Sequence, residues 1–198
     1  MRTFSSFPFS IAVLALLFLP SCMSANPISA AKLSTLSPLD SNPADLRAAI
    51  RLPASLELGK ASVKLVMKWS STVTAPMTQE YPLEITEVTK SVGGLPTNLA
   101  SGEKMVILAL SAADVEPFRA FQRKMKAEKA AGINGRGSLS ADFSGGCWRG
   151  VYPAADSRQP LEVWLQTAPA DDFIPLIQGS DLQAMLSRAG EPTLATCQ

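Results

Sequence analysis

Apolar and polar residues alternate with period two along several stretches of the chain, the pattern of half-buried strands. Across 60–69, Ala61, Val63, Leu65, Met67 and Trp69 share one face; Lys60, Ser62, Lys64 and Lys68 share the other, with Val66 the exception. Across 79–90, Tyr81, Leu83 and Ile85 point in while Glu80, Glu84 and Thr86 point out, until Glu87-Val88 shifts the phase as a bulge would. The run Met105–Leu110 is continuously apolar and predicts a central strand covered on both faces. Alternation returns at 138–144, with Leu139, Ala141 and Phe143 inward, and at 161–167, with Leu161, Val163 and Leu165 inward and Trp164 opposite.

Helical signals stand between these stretches. Asn42 before Pro43 predicts a short helix over 43–50 that stops near Pro53. Ser111-Ala112-Ala113-Asp114 resembles a capping box and opens a helix of about 18 residues. Val115, Phe118, Phe121 and Met125 mark its apolar face, and Gly132 ends it. Its polar side carries Arg119, Arg123, Lys124, Lys126 and Lys129, toward the end where the macrodipole favours cations. A last helix runs from a Ser180 cap through Arg188 to Gly190. The order α-β-β-β-α-β-β-α predicts an α+β class: an antiparallel sheet of about five strands, a long helix packed on one face and short flanking helices. They form a single domain over 43–198.

The N-terminus follows a different logic. Arg2 is the only charge before Lys32, and nine apolar residues, Ile11–Leu19, follow it. At about 1.5 Å per residue they span about half of a ~30 Å hydrocarbon core. That suits a signal peptide over 1–21 and not a membrane-spanning helix. Leu19-Pro20-Ser21-Cys22 then resembles the lipobox of bacterial lipoproteins, with Pro20 where the pattern prefers Ala, Ser, Thr or Val. The resemblance implies cleavage before Cys22, a diacylglycerol on its thiol and further acylation of the new amine, by chains such as palmitate. Met23 in place of Asp implies the outer membrane, with the domain facing the periplasm. Ordinary cleavage after Ala25 or Ala30 is the competing expectation. Residues 22–42, rich in Ser, Ala and Pro, read as the lipidated N-terminus and a flexible tether with a reach of roughly 25 Å.

With Cys22 assigned to lipid, Cys147 and Cys197 remain as an even pair, which an oxidising compartment joins in a disulfide. Closing a loop of that length contributes roughly 4 kcal/mol in the chain-entropy treatment. Two cysteines without histidine make half a metal ligand set, so no metal and no cofactor are expected. Lys+Arg total 18 against 17 Asp+Glu, a balance with no general pull toward nucleic acid. The absence of histidine removes the commonest general base and every Ser-His or Cys-His arrangement.

The remaining constellations are weak. Ser101-Gly102-Glu103-Lys104 has S-x-x-K spacing but leads into a strand, where positions i and i+3 face apart. Gly132–Gly137 is glycine-rich but runs from helix to strand, opposite to a phosphate loop, and reads as a turn. Asp171-Asp172 reads as a solvated turn, and Lys60, Lys64 and Lys68 as a face neutralised by the glutamates of the next strand. Trp148, Arg149 and Tyr152, in a glycine-flanked loop beside Cys147, are the best candidates for an interaction surface, or Trp148 packs on the disulfide.

The expected function is a non-enzymatic, lipid-anchored interaction or structural module of the bacterial cell envelope, its partners the membrane and an envelope protein. A periplasmic small-ligand-binding domain, with a pocket between sheet and helix, is the alternative. A histidine-free hydrolase is the third reading. It would need two of Asp142, Asp156, Glu162, Asp171, Asp172 and Glu191 in one cleft.

Overall fold

The computed structural model describes residues 39–198 apart from 144, 155 and 189–192, and only the backbone of Arg188. The signal peptide, Cys22, most of the 22–42 tether, Gly190 and Glu191 lie outside the described residues.

Seven strands form one curled antiparallel sheet. In chain order they are β1 (Arg47–Pro53), β3 (Val63–Ser71), β4 (Met77–Glu87), β5 (Glu103–Leu110), β6 (Gly135–Phe143), β8 (Pro160–Gln166) and β9 (Ile174–Asp181). Their spatial order is β6-β3-β4-β5-β1-β8-β9. A small second sheet joins β10 (Ala195–Thr196), β7 (Cys147–Trp148) and β2 (Leu56–Glu57), with β10 parallel to β7. The helices are α1 (Ala112–Ala130) and α2 (Leu182–Arg188). Among the described residues strand outweighs helix, 42% to 16%, so the class is mostly β, and the expected α+β layering over about five strands is wrong.

The error has identifiable causes. Residues 43–50 are not a helix. The Asn42 side chain accepts from the Ala44 amide, and the Asp45 amide returns to the Asn42 carbonyl at 3.0 Å, so the cap-like chemistry closes a turn. Arg47–Pro53 then becomes the strand between β5 and β8, hydrogen-bonded on both sides, and this pairing overrides local helix signals. Strand β9 carries Pro175 and Gly179 and shows no alternation; as the edge of the sheet it tolerates both. The last helix begins at Leu182, not at Ser180, and the Asp181 carboxylate caps it by accepting from the Ala184 amide at 3.0 Å. No bulge interrupts β4 at Glu87-Val88: the strand ends at Glu87, and Val88 turns into a cluster behind the sheet.

The pleat sorts side chains into two cores. On the inner, concave face Met67, Trp69, Tyr81, Leu83, Leu108 and Leu110 meet Phe118, Phe121 and Met125 of α1. The Tyr81 and Phe118 ring centroids are 5.3 Å apart. Ser111 caps α1 by accepting from the Asp114 amide at 3.1 Å and donating to its carboxylate at 2.7 Å. On the outer face Ala49, Met105 and Trp164 pack with Leu95 and Phe173 from the loops, which is why 105–110 is apolar throughout. Gly94, at φ +78°, is required here, because a Cβ would overlap the Phe173 backbone.

One end of the curl is plugged. Leu56 of β2, Trp148 of β7 and Leu182 and Leu186 of α2 join Leu52, Val63 and Leu161 in the inner core. The Cys147–Cys197 disulfide, with Cα atoms 4.8 Å apart, ties β10 to this plug. Residues 39–43 lie antiparallel along α1. Asp40 pairs with Lys126 at 2.7 Å, the Ser41 carbonyl accepts from Gln122 at 2.9 Å, and Asn42 accepts from Arg119 at 2.6 Å.

Candidate functional site: an apolar hollow inside the curled sheet

Away from the plug, the concave face is incompletely filled. Leu46, just before β1, joins Ala48, Leu108, Leu110, Val163 and Leu165 of strands β1, β5 and β8 in the wall of a hollow of about 330 Å³. Strands β3, β4, β6 and β9 add Leu65, Leu83, Leu139, Ala141 and Leu176. All seven strands of the large sheet therefore contribute, including both of its edges, β6 and β9. Curling alone brings such distant segments together: Leu65 and Leu176 are more than a hundred residues apart in sequence.

The pleat explains the composition of the wall. On β6, Leu139 and Ala141 stand opposite Met67 and Leu65 of β3. On β8, Val163 and Leu165 stand opposite Ile50 and Ala48 of β1. These positions have the inward parity expected from their alternation. Yet Leu46, Ala48, Leu65, Leu139, Val163, Leu165 and Leu176 are only half-buried, and Ala141 is exposed. Apolar side chains on a concave face that keep contact with water are the usual wall of a small-ligand site. Ser41 and Thr167 add polar residues to the lining, while Ser140, between inward Leu139 and Ala141, contributes backbone and turns its hydroxyl to the opposite face. Arg47 is its one charged residue, but it stands between Leu46 and Ala48, which both pack inward, so the pleat turns its side chain to the opposite face.

A second hollow of about 470 Å³ lies between the end of α1 and the β3–β6 pair, with Leu139 on both walls. Trp69 is part of its lining. The indole N–H donates to the Glu128 carboxylate at 2.8 Å, and the Thr74 hydroxyl donates to the same group at 2.7 Å. These bonds, Thr74 first, hold the Glu128 carboxyl below its ordinary range. The glycine-rich stretch 132–137 gains its reason here: a Cβ at Gly135 would overlap the Trp69 ring. It is a strand start shaped by an indole, not a phosphate loop.

The other positions singled out from sequence are distributed as follows. Cys147 and Cys197 form the disulfide. Trp148 is 6% exposed, its N–H donates to the Val151 carbonyl at 3.0 Å, and its ring meets Tyr152 edge-on. Arg149 pairs with Glu57 but its side chain stays 72% exposed, so that loop presents Arg149 together with Val151, 94% exposed, to solvent. Cys22 lies outside the described residues. Lys64 pairs with Glu80 across the β3–β4 ladder at 2.9 Å. Ser101 lies in the turn before β5 and Lys104 within the strand.

Of the candidate acids, Glu191 lies outside the described residues, and Glu162 and Asp172 are placed on the outer face. Glu162 is engaged by Arg51 at 3.1 Å, and Arg51 also holds Glu103 at 2.9 Å. Asp172 lies against Gly93 on the outer face, and the Phe173 amide donates to the Gly93 carbonyl. Among the described residues no three His, Cys, Asp or Glu side chains stand close enough to share a metal ion, and no helix is long and apolar enough to cross a membrane. Sequence reasoning missed the hollow itself. Its signal was present in the inward leucines and valines, but nothing in one dimension says which of them stay uncovered. Compared with known proteins, the chain matches no family model, no curated sequence and no solved fold at a significant level.

Proposed function

We propose that the protein is a non-enzymatic binding module of the bacterial cell envelope, anchored through Cys22 and taking a small apolar ligand into the concave face of its sheet. The observation that carries this reading is the half-buried wall of leucines and valines around the 330 Å³ hollow. Covering such a wall with a ligand contributes about 25 cal/mol for each Å² of apolar surface removed from water. The anchor rests on the lipobox-like Leu19-Pro20-Ser21-Cys22. Its expected position is the outer membrane with the domain in the periplasm, next to a supply of apolar molecules.

The test is to purify the full chain from envelope without denaturant and identify by mass spectrometry what organic solvent extracts from it. An apolar small molecule in near-stoichiometric amount, absent from a Leu165→Trp variant, is the expected result. Extracts indistinguishable between the two proteins, together with no uptake of an added apolar fluorophore, would sink the ligand reading. The anchor is tested separately. Cys22→Ala should release the protein or leave it unprocessed, with the 147–197 bridge intact.

A further inference from the structure

We propose that the ligand is a single-chain amphiphile, with one hydrocarbon chain inside the hollow and its polar head at the seam between β6 and β9. This rests on the reading of the hollow as a ligand site and specifies what enters it.

Three observations converge. The first is size. At about 330 Å³ the hollow lies near the lower end of the roughly 300–1,000 Å³ of small-molecule sites, room for one chain and not for a two-chain lipid. The second is charge complementarity. Among the described residues no charged side chain faces the interior, since the pleat directs Arg47 outward, so a head group drawn inside would lose its hydration with no ion to replace it. The electroneutral wall fits the uncharged chain and leaves the head outside.

The third is the seam. Strands β6 and β9 are the two edges of the sheet, both line the hollow, and no ladder joins them. Each edge strand has backbone N–H and C=O groups on the side away from its neighbour. Thr167, just past β8, adds a hydroxyl to the same hollow, and the exposed Ala141 marks the β6 edge of its wall. The unpaired backbone groups of the two edges thus run beside an apolar wall. A molecule apolar along its length and polar at one end matches both. A free fatty acid and a lysophospholipid share this chemistry.

The experiment uses the full chain and the fluorescence of dansylated undecanoic acid. Saturable binding, displaced by dodecanoic acid, by lysophosphatidylcholine or by both, is expected, with diacyl phosphatidylcholine vesicles ineffective. Displacement by the acid alone names a free acid as the source, and by the lysolipid alone a phospholipid product. Ala141→Trp, which places an indole into the hollow from β6, should weaken binding at least about tenfold, with the circular dichroism and the disulfide unchanged. If that variant alters the spectrum, Leu165→Phe takes its place. Unchanged affinity in the well-folded variant overturns the proposal, as does displacement by diacyl vesicles at equal lipid. If 1-aminoanthracene binds but no single-chain lipid does, the amphiphile is wrong while the ligand site stands. If neither binds, both readings fall.

Discussion

The two ends of the curled sheet contain the same kinds of side chain and treat them differently. At the plugged end Leu52, Leu56 and Val63 are 2% exposed or less, locked under β2, β7 and α2. Toward the open end Leu65, Val163, Leu165 and Leu176 have the same chemistry and the same inward parity, yet remain half-buried. The difference lies in what is laid over them. A leucine on a concave face is core or binding wall according to whether another element covers it, and strand pattern does not record that.

The largest expected effect sharpens the comparison at the plugged end. Replacing Cys147 and Cys197 together by Ser should lower unfolding free energy by about 4 kcal/mol in a urea titration, because the bridge closes a loop with 50 residues of separation. Binding in the open hollow should survive at low denaturant. Next, Leu56→Ala should cost about 3 kcal/mol, the usual penalty for an uncollapsed core cavity. Leu165→Ala, on the wet wall, should cost less than about 1.5 kcal/mol, since part of its surface already meets water. Equal penalties at the two ends would break the distinction.

An intermediate effect concerns the outer face. The Arg51 guanidinium beside Glu103, by its hydrogen bond first and helped by the Ala100 amide, holds that carboxyl below the ordinary carboxylate range. A carboxylate with a lowered folded-state pKa stabilises the fold above its unfolded value of about 4.3, and loses that contribution as pH falls through the lower folded value. Stability should therefore drop below about pH 4, and Arg51→Met should flatten that limb of the stability–pH curve. At pH 7 the same substitution should cost about 2 kcal/mol, as it removes charge-assisted bonds and leaves Glu103 and Glu162 facing each other. The smallest effect should come from Lys64→Ala: its pair with Glu80 is solvent-exposed, and the urea midpoint should stay where it is.

Legibility from sequence followed the range of the forces. Period-two alternation located β3, β4, β6 and β8, and the apolar run located β5, because those signals are local and strong. The Ser111 cap and the spacing Phe118, Phe121 and Met125 located α1 for the same reason. Strand β1 was read as a helix because its two ladder partners, β5 and β8, are more than fifty residues and more than a hundred residues away. Strands β2, β7 and β10 have two residues each and carry no period at all. With β1 and β9 missing from the count, five strands under a helix placed any pocket between sheet and helix, and not inside a seven-stranded curl. The disulfide was legible by elimination, once the lipobox-like motif had set Cys22 apart from Cys147 and Cys197.

The strap at residues 39–43 has a mechanical consequence. Its three side-chain ties to α1, at Lys126, Gln122 and Arg119, are spaced along the helix in reverse order to the chain. A pull on the N-terminus directed along α1 therefore loads them together, in shear, and does not peel them one by one. Tension arriving from a membrane tether would be shared across a helix whose apolar side is sunk in the core, and no edge strand of the sheet would carry it first.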